Sequence, residues 1–195
     1  HIHDVFLDHS VVAVDADGRP LGLGMLGLRP RDRQPEVSWI TRLGVIPHKR
    51  RRGVGEAILL SLLSASDQLG VDLATLEVIK NNAPAHTLFR KWGFHETREL
   101  IILRRPPGAP TRTTTGLFRW LDKPEALELA QTRQFPLTWV NDTASLANAD
   151  NVMGLTVTLP DGSHGWLVFQ KHRFYLTRLT VETVEGDPLA VAREL

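Results

Sequence analysis

The chain has 195 residues, 42% of them hydrophobic, with 12 prolines, no cysteine and a formal net charge of +1. That length accommodates one full domain and part of another, and the lack of cysteine excludes disulfides, thiolate metal sites and cysteine nucleophiles. The balanced charge gives no global attraction to nucleic acid, and no apolar stretch approaches the length of a membrane span, so a cytoplasmic protein with neither nucleic-acid nor membrane partners is expected. No signal sequence is expected, and His1 and His3 lack further convergent ligands, so no metal is expected either.

In chain order, strand-like residues 11–14 and 21–28 flank an Asp17-Gly18 turn, which predicts a hairpin. Residues 37–45 read as a third strand. This strand runs directly into Lys49-Arg50-Arg51-Arg52-Gly53-Val54-Gly55-Glu56. Gly53 and Gly55 let the backbone curl with its N–H groups inward, the helix predicted over 54–69 adds its positive dipole end, and the arginines add full charges. An anionic, phosphate-bearing ligand is expected there. The spacing excludes a P-loop, which needs a Gly-Lys-Ser/Thr after four residues, and a dinucleotide fingerprint, which needs a third glycine where Ile58 stands. The helix carries Ile58, Leu59, Leu62, Leu63 and Leu69 on one stripe and stops at Gly70. Residues 71–79 then predict a strand. Asn81 or Asn82 caps a second helix with Pro84 in its first turn, running through Leu88 and Trp92 to a stop at Gly93.

Two of these stretches are signatures. Arg50-x-x-Gly53-x-Gly55 resembles the pyrophosphate-binding motif Gln/Arg-x-x-Gly-x-Gly/Ala of the GCN5-related N-acetyltransferase (GNAT) superfamily. The segment Asn82-x-x-Ala85-x-x-Leu88-Phe89-x-x-x-Gly93-Phe94 is similar to that family's second signature. The resemblance covers residues 10 to about 104 and implies an α/β (α+β) fold, a mixed, mostly antiparallel sheet flanked by helices. It implies acetyl-CoA as co-substrate, with the diphosphate on Arg50, Arg51, Arg52, Gly53, Val54, Gly55 and Glu56. The pantetheine arm would run along the backbone of Leu43, Gly44 and Val45, in a gap between strands. Asn82 would meet the pantetheine side and Lys91 the outer phosphate end, with helix capping and a solvated lysine as the plain alternatives.

The chemistry implied is direct acyl transfer from acetyl-CoA to a primary amine, with a small molecule as acceptor and a homodimer left open. Phe89 departs from the family pattern, in which a tyrosine often protonates the departing thiolate. The strand also lacks the family's glutamate, so the candidate bases are Glu36 at its start and His86, which shares a helix face with Asn82 and Phe89. These departures motivate a second reading, a non-catalytic acyl-CoA-binding sensor or scaffold. Nucleic-acid binding through the basic loop lacks interleaved aromatics.

Pro-, Gly- and Thr-rich residues 105–115 read as a linker between a unit over 1–104 and a second over 116–195. In the second, residues 116–121 predict a strand and 124–133 a helix. Residues 152–159, an Asp161-Gly162 turn, 166–170 and 174–181 then repeat the order of two hairpin strands and a third strand. The best local match sets Leu-Thr-Arg-Leu-Thr-Val at 176–181 against Ile-Thr-Arg-Leu-Gly-Val at 40–45, 136 positions apart. The following Glu182, Glu185 and Asp187 would repel a diphosphate if they formed the equivalent loop. A helix is expected from about Pro188. The second unit is therefore expected to be a degenerate GNAT-like copy. The first unit begins at its second strand and the second ends inside its first helix after the loop. That suggests a fragment, a gapped chain, or a rearranged domain that recruits 116–150 for its missing helices.

Overall fold

A computed structural model describes residues 3–31, 34–106, 108 and 113–195, with the side chains of 30–36 outside that description. The chain divides into one unit spanning Asp4–Ile102 and another formed by Leu103–Leu195 together with His3. Residues 107 and 109–112 of the expected linker lie outside the described residues.

The first unit follows the order β1 (Val5–Val14), β2 (Pro20–Arg31), β3 (Gln34–Val45), α1 (Val54–Gln68), β4 (Leu73–Leu76) and α2 (Ala83–Lys91). Its sheet runs β1-β2-β3-β4, antiparallel through the first two pairings and parallel between β3 and β4. The hairpin turn is built by Asp15, whose carboxylate accepts from the N–H groups of Asp17 and Arg19 at 3.1 and 2.9 Å. Apolar spacing of 3.6 residues turns Ile58, Leu59 and Leu62 of α1 onto Leu26 and Ile40 of the sheet, and Phe89 of α2 completes this core. Each such side chain contributes about 1.5–3 kcal/mol by leaving water. Leu69, expected on the same stripe, is 37% exposed because α1 ends one residue before it.

β4 is shorter than the nine residues expected. Its pairing ends at Ile40 opposite Leu76, although β3 continues to Val45. The cause lies in β3: between Thr41 and Gly44 the register with β2 slips by one residue, and Arg42 takes φ 53°. This β-bulge bends the strand away from the neighbour it has been following.

The second unit contains β5 (Leu117–Leu121), α3 (Lys123–Thr132), α4 (Thr143–Asn148), β6 (Val152–Thr158), β7 (His164–Lys171), β8 (Leu176–Glu185) and α5 (Pro188–Glu194). All pairings in its β5-β6-β7-β8 sheet are antiparallel. A reciprocal capping box between Asp122 and Glu125 starts α3, and α3 and α4 bury Ala126, Ala130 and Leu146 against Leu121, Val152, Trp166 and Val168. Residues 116–150 thus pack on their own sheet.

The expected acidic loop takes a different form. Glu182 and Glu185 belong to β8, which extends beyond the position where β3 ends, and only Gly186 and Asp187 separate it from α5. Gly186 has φ 87°, and a Cβ there would stand 2.6 Å from Ser163 Cα. Gly186→Ala is therefore expected to destabilise this unit by about 2 kcal/mol, through left-handed strain plus a backbone clash. Chemical denaturation with unchanged stability would refute that account.

Candidate functional site: a cationic loop at a helix N-terminus

The connection from β3 to α1 begins with a 3-10 turn over Pro47–Lys49, closed by Lys49 N–H on the Ile46 carbonyl at 3.0 Å. Arg51 (φ 59°) and Gly53 (φ 80°) then take left-handed backbone conformations that reverse the chain into α1. Gly53 is the N-cap and provides no side chain, and the first helical bond joins Ala57 N–H to its carbonyl at 2.9 Å. Among the described residues, the N–H groups of 51 to 56 have no acceptor. Successive free donors at a helix start form an anion-binding concavity, reinforced by the helix dipole.

Arg50 Nε donates to the Val45 carbonyl at 3.0 Å, tying the loop to the end of β3. Arg51 and Arg52 are exposed and have no hydrogen-bond or ion-pair partner among the described residues. Three elements converge here. A Cβ on Gly55 would lie 3.5 Å from Val45 Cγ2, 3.7 Å from Leu88 Cδ2 and 3.9 Å from Leu43 Cδ2. Those are ordinary contacts, so alanine fits at 55, and only a branched side chain would crowd the junction. Among the described residues, β3 has no strand partner on the β4 side from Thr41 to Val45, which leaves an open backbone edge beside the loop that includes Leu43, Gly44 and Val45.

The remaining predicted residues divide. Lys91 and Trp92 are joined to Glu56, with Lys91 Nζ and Trp92 Nε1 at 2.5 and 2.9 Å from Glu56 Oε1. These bonds, Lys91's first, hold the Glu56 carboxyl below its ordinary value. Lys91 thus brackets α2 against the first turn of α1. Asn82 caps α2, its side-chain oxygen 3.4 Å from Ala85 N. Phe89 is 9% exposed and meets Phe94 edge-on at 5.8 Å, so its ring serves the core at the inner side of the site. His86 has Nε2 3.3 Å from the Ile79 carbonyl and Nδ1 3.3 Å from Glu96 Oε1. A base needs a lone pair facing substrate, and both ring nitrogens here face acceptors of the protein itself. Glu36 lies near the start of β3, and its side chain is outside the described residues.

The sequence reading passed over Arg42, the bulge residue in the open stretch of β3. Its signal was present in the repeated Thr-Arg-Leu at 41–43 and 177–179. Two grooves, of about 350 Å³ beside Arg133 and Asp142 and about 310 Å³ between Trp120 and Leu176, belong to the second unit. Neither includes a residue of the cationic loop. Among the described residues, no helix is long and apolar enough to cross a membrane.

Comparison with known proteins gives matches to part of the chain. The model of the acetyltransferase (GNAT) family matches residues 2–94. A mycothiol acetyltransferase of Pseudarthrobacter chlorophenolicus is 33% identical over 85 residues, which is 43% of this chain and 26% of that protein. A mycothiol acetyltransferase of Clavibacter michiganensis subsp. michiganensis is 34% identical over 95 residues, 49% of this chain and 29% of that protein. The chain thus spans between a quarter and a third of the length of the curated relatives it matches. Among solved structures, a Trypanosoma brucei acetyltransferase aligns with a TM-score of 0.45 and 22% identity, covering 53% of this chain and 70% of that one. Glucosamine-6-phosphate N-acetyltransferase of Arabidopsis thaliana aligns with a TM-score of 0.45 and 13% identity, covering 52% and 67%.

Proposed function

Taking residues 2–94 as a domain of the acetyltransferase (GNAT) family, we propose that the chain binds acetyl-CoA through the loop after β3 and directs its acetyl group to the primary amine of a small molecule. The observation that carries this reading is the row of N–H groups from 51 to 56 without acceptors, set beside Arg50, Arg51 and Arg52. Such a donor set fits a diphosphate, whose oxygens would accept both backbone and guanidinium hydrogen bonds.

The thioester of the donor supplies the acetyl group. The chain's own residues have simpler tasks. The open edge of β3 from 41 to 45 aligns an extended arm by backbone pairing, as an added strand would. A backbone N–H in the Val45 region holds negative charge as it develops on the carbonyl oxygen. Phe89 has no proton to donate, so water carries the proton to the leaving sulfur. Glu36 is the proposed base for the incoming amine, since His86 is committed to Ile79 and Glu96.

The reading extends to a tandem organisation, with a cofactor-binding unit over 1–104, a linker over 105–115 and a degenerate copy over 116–195, working in the cytoplasm. The two-residue connection between β8 and α5 supports the loss of the second phosphate loop. Titration with CoA should therefore saturate at one equivalent per chain, and two equivalents would overturn this assignment. Phe89 is the observation that favours a second reading, an acyl-CoA sensor without turnover. Measuring acetylation across a panel of primary amines separates the two.

A further inference from the structure

The bulge in β3 has a twin. In the second unit, the register between β7 and β8 slips between Thr177 and Thr180, and Arg178 takes φ 52°. Arg42 and Arg178 thus occupy the same left-handed bulge position, each within Thr-Arg-Leu. A left-handed conformation costs a residue with a Cβ about 1–2 kcal/mol that glycine would not incur. Backbone preference gives no reason for an arginine there, so its side-chain contacts are where a reason would lie.

In the second unit that reason is visible. Arg178 Nε donates to the Val140 carbonyl at 3.1 Å, Nη1 donates to Gln170 Oε1, and Nη2 lies 3.2 Å from His3 Nε2. The Val140 and Gln170 oxygens thus lie on opposite edges of the guanidinium, and each of its three nitrogens has a polar neighbour. In the first unit, Arg42 is exposed and has no hydrogen-bond or ion-pair partner among the described residues. It stands two residues beyond the last β3–β4 pair, in the open stretch where the acyl group is to be delivered.

We propose that Arg42 is a specificity residue that anchors a carboxylate on the amine acceptor, so that the acceptor class is amino acids or similar amino carboxylates. A carboxylate sets two oxygens against one edge of an unpartnered guanidinium, and it adds the charge that makes a bidentate pair with arginine strong. This identification of the acceptor rests on the acetyltransferase reading, whereas the carboxylate contact itself does not.

The test uses the whole chain saturated with CoA, titrated calorimetrically with common amino acids and with their carboxamides. At least one amino acid should bind ten times more tightly than its amide. Arg42→Gly, which suits the left-handed backbone, should bring that ratio to about one without lowering the melting temperature, and Arg42→Lys should retain part of the preference. No amino acid preferred over its amide, or a preference that survives Arg42→Gly, overturns the proposal. A preference lost in Arg42→Gly without any acetylation would uphold the carboxylate contact and refute the acetyltransferase reading.

Discussion

Replacing Arg50 and Arg52 by glutamine and Arg51 by asparagine in one protein should weaken CoA binding about a hundredfold and flatten its dependence on salt. Hydrogen bonds to charged groups are typically worth about 1.5–3 kcal/mol each, and exposure reduces that figure. Losing three guanidinium groups around one diphosphate should still cost about 2.7 kcal/mol, which is the hundredfold expected. Asparagine is chosen at 51 because it tolerates the left-handed backbone found there, so that position keeps its conformation while losing its charge. The backbone donors of 51 to 56 remain, and they should preserve weak residual binding. Calorimetry at two salt concentrations reads both effects. Unchanged affinity would show that the ligand does not use this loop.

Phe89→Tyr is expected to raise acetyl transfer, because it adds a proton donor beside the proposed path of the leaving sulfur. General-acid assistance is typically worth about 10²–10⁴-fold, so even partial alignment should be measurable. The Phe89 ring is 9% exposed and packs on Phe94, so a hydroxyl that failed to reach the site would be buried without a partner. Such burial costs about 1–3 kcal/mol of stability. The melting temperature therefore distinguishes the outcomes. Faster turnover at unchanged stability supports a working enzyme lacking one dispensable group. Background turnover at unchanged CoA affinity would support the sensor reading, and an already fast wild type with no gain in the variant would show that water suffices.

Local signals rendered much of the first unit legible. Gly53 and Gly55 marked the start of α1, Asn82 and Pro84 the start of α2, and the spacing of Ile58, Leu59 and Leu62 the buried face. Such features depend on a few neighbouring residues. The short β4 was not legible, because nothing in residues 71–79 announces that β3 bends away at Arg42. His86 looked available because a helix face is visible in sequence, whereas the carbonyl and carboxylate facing its two nitrogens come from Ile79 and Glu96. Glu182 and Glu185 carry the charge expected of a loop, yet they continue β8. The extra length of β8 follows from pairing with β7, a non-local fact.

The brevity of β4 also bears on how the first unit opens. β1, β2 and β3 form a meander closed by short connections, whereas β4 reaches its place only after α1 has crossed over, and it is then held along one edge by four residues. Parallel pairing over a long crossover forms late, and a short edge strand is the first to separate. β4 is therefore expected to be the first strand of this sheet to separate. Hydrogen exchange should show the β4 amides exchanging through small local openings that leave the meander intact. The cofactor arm proposed for the gap between β3 and β4 would enter through that same opening.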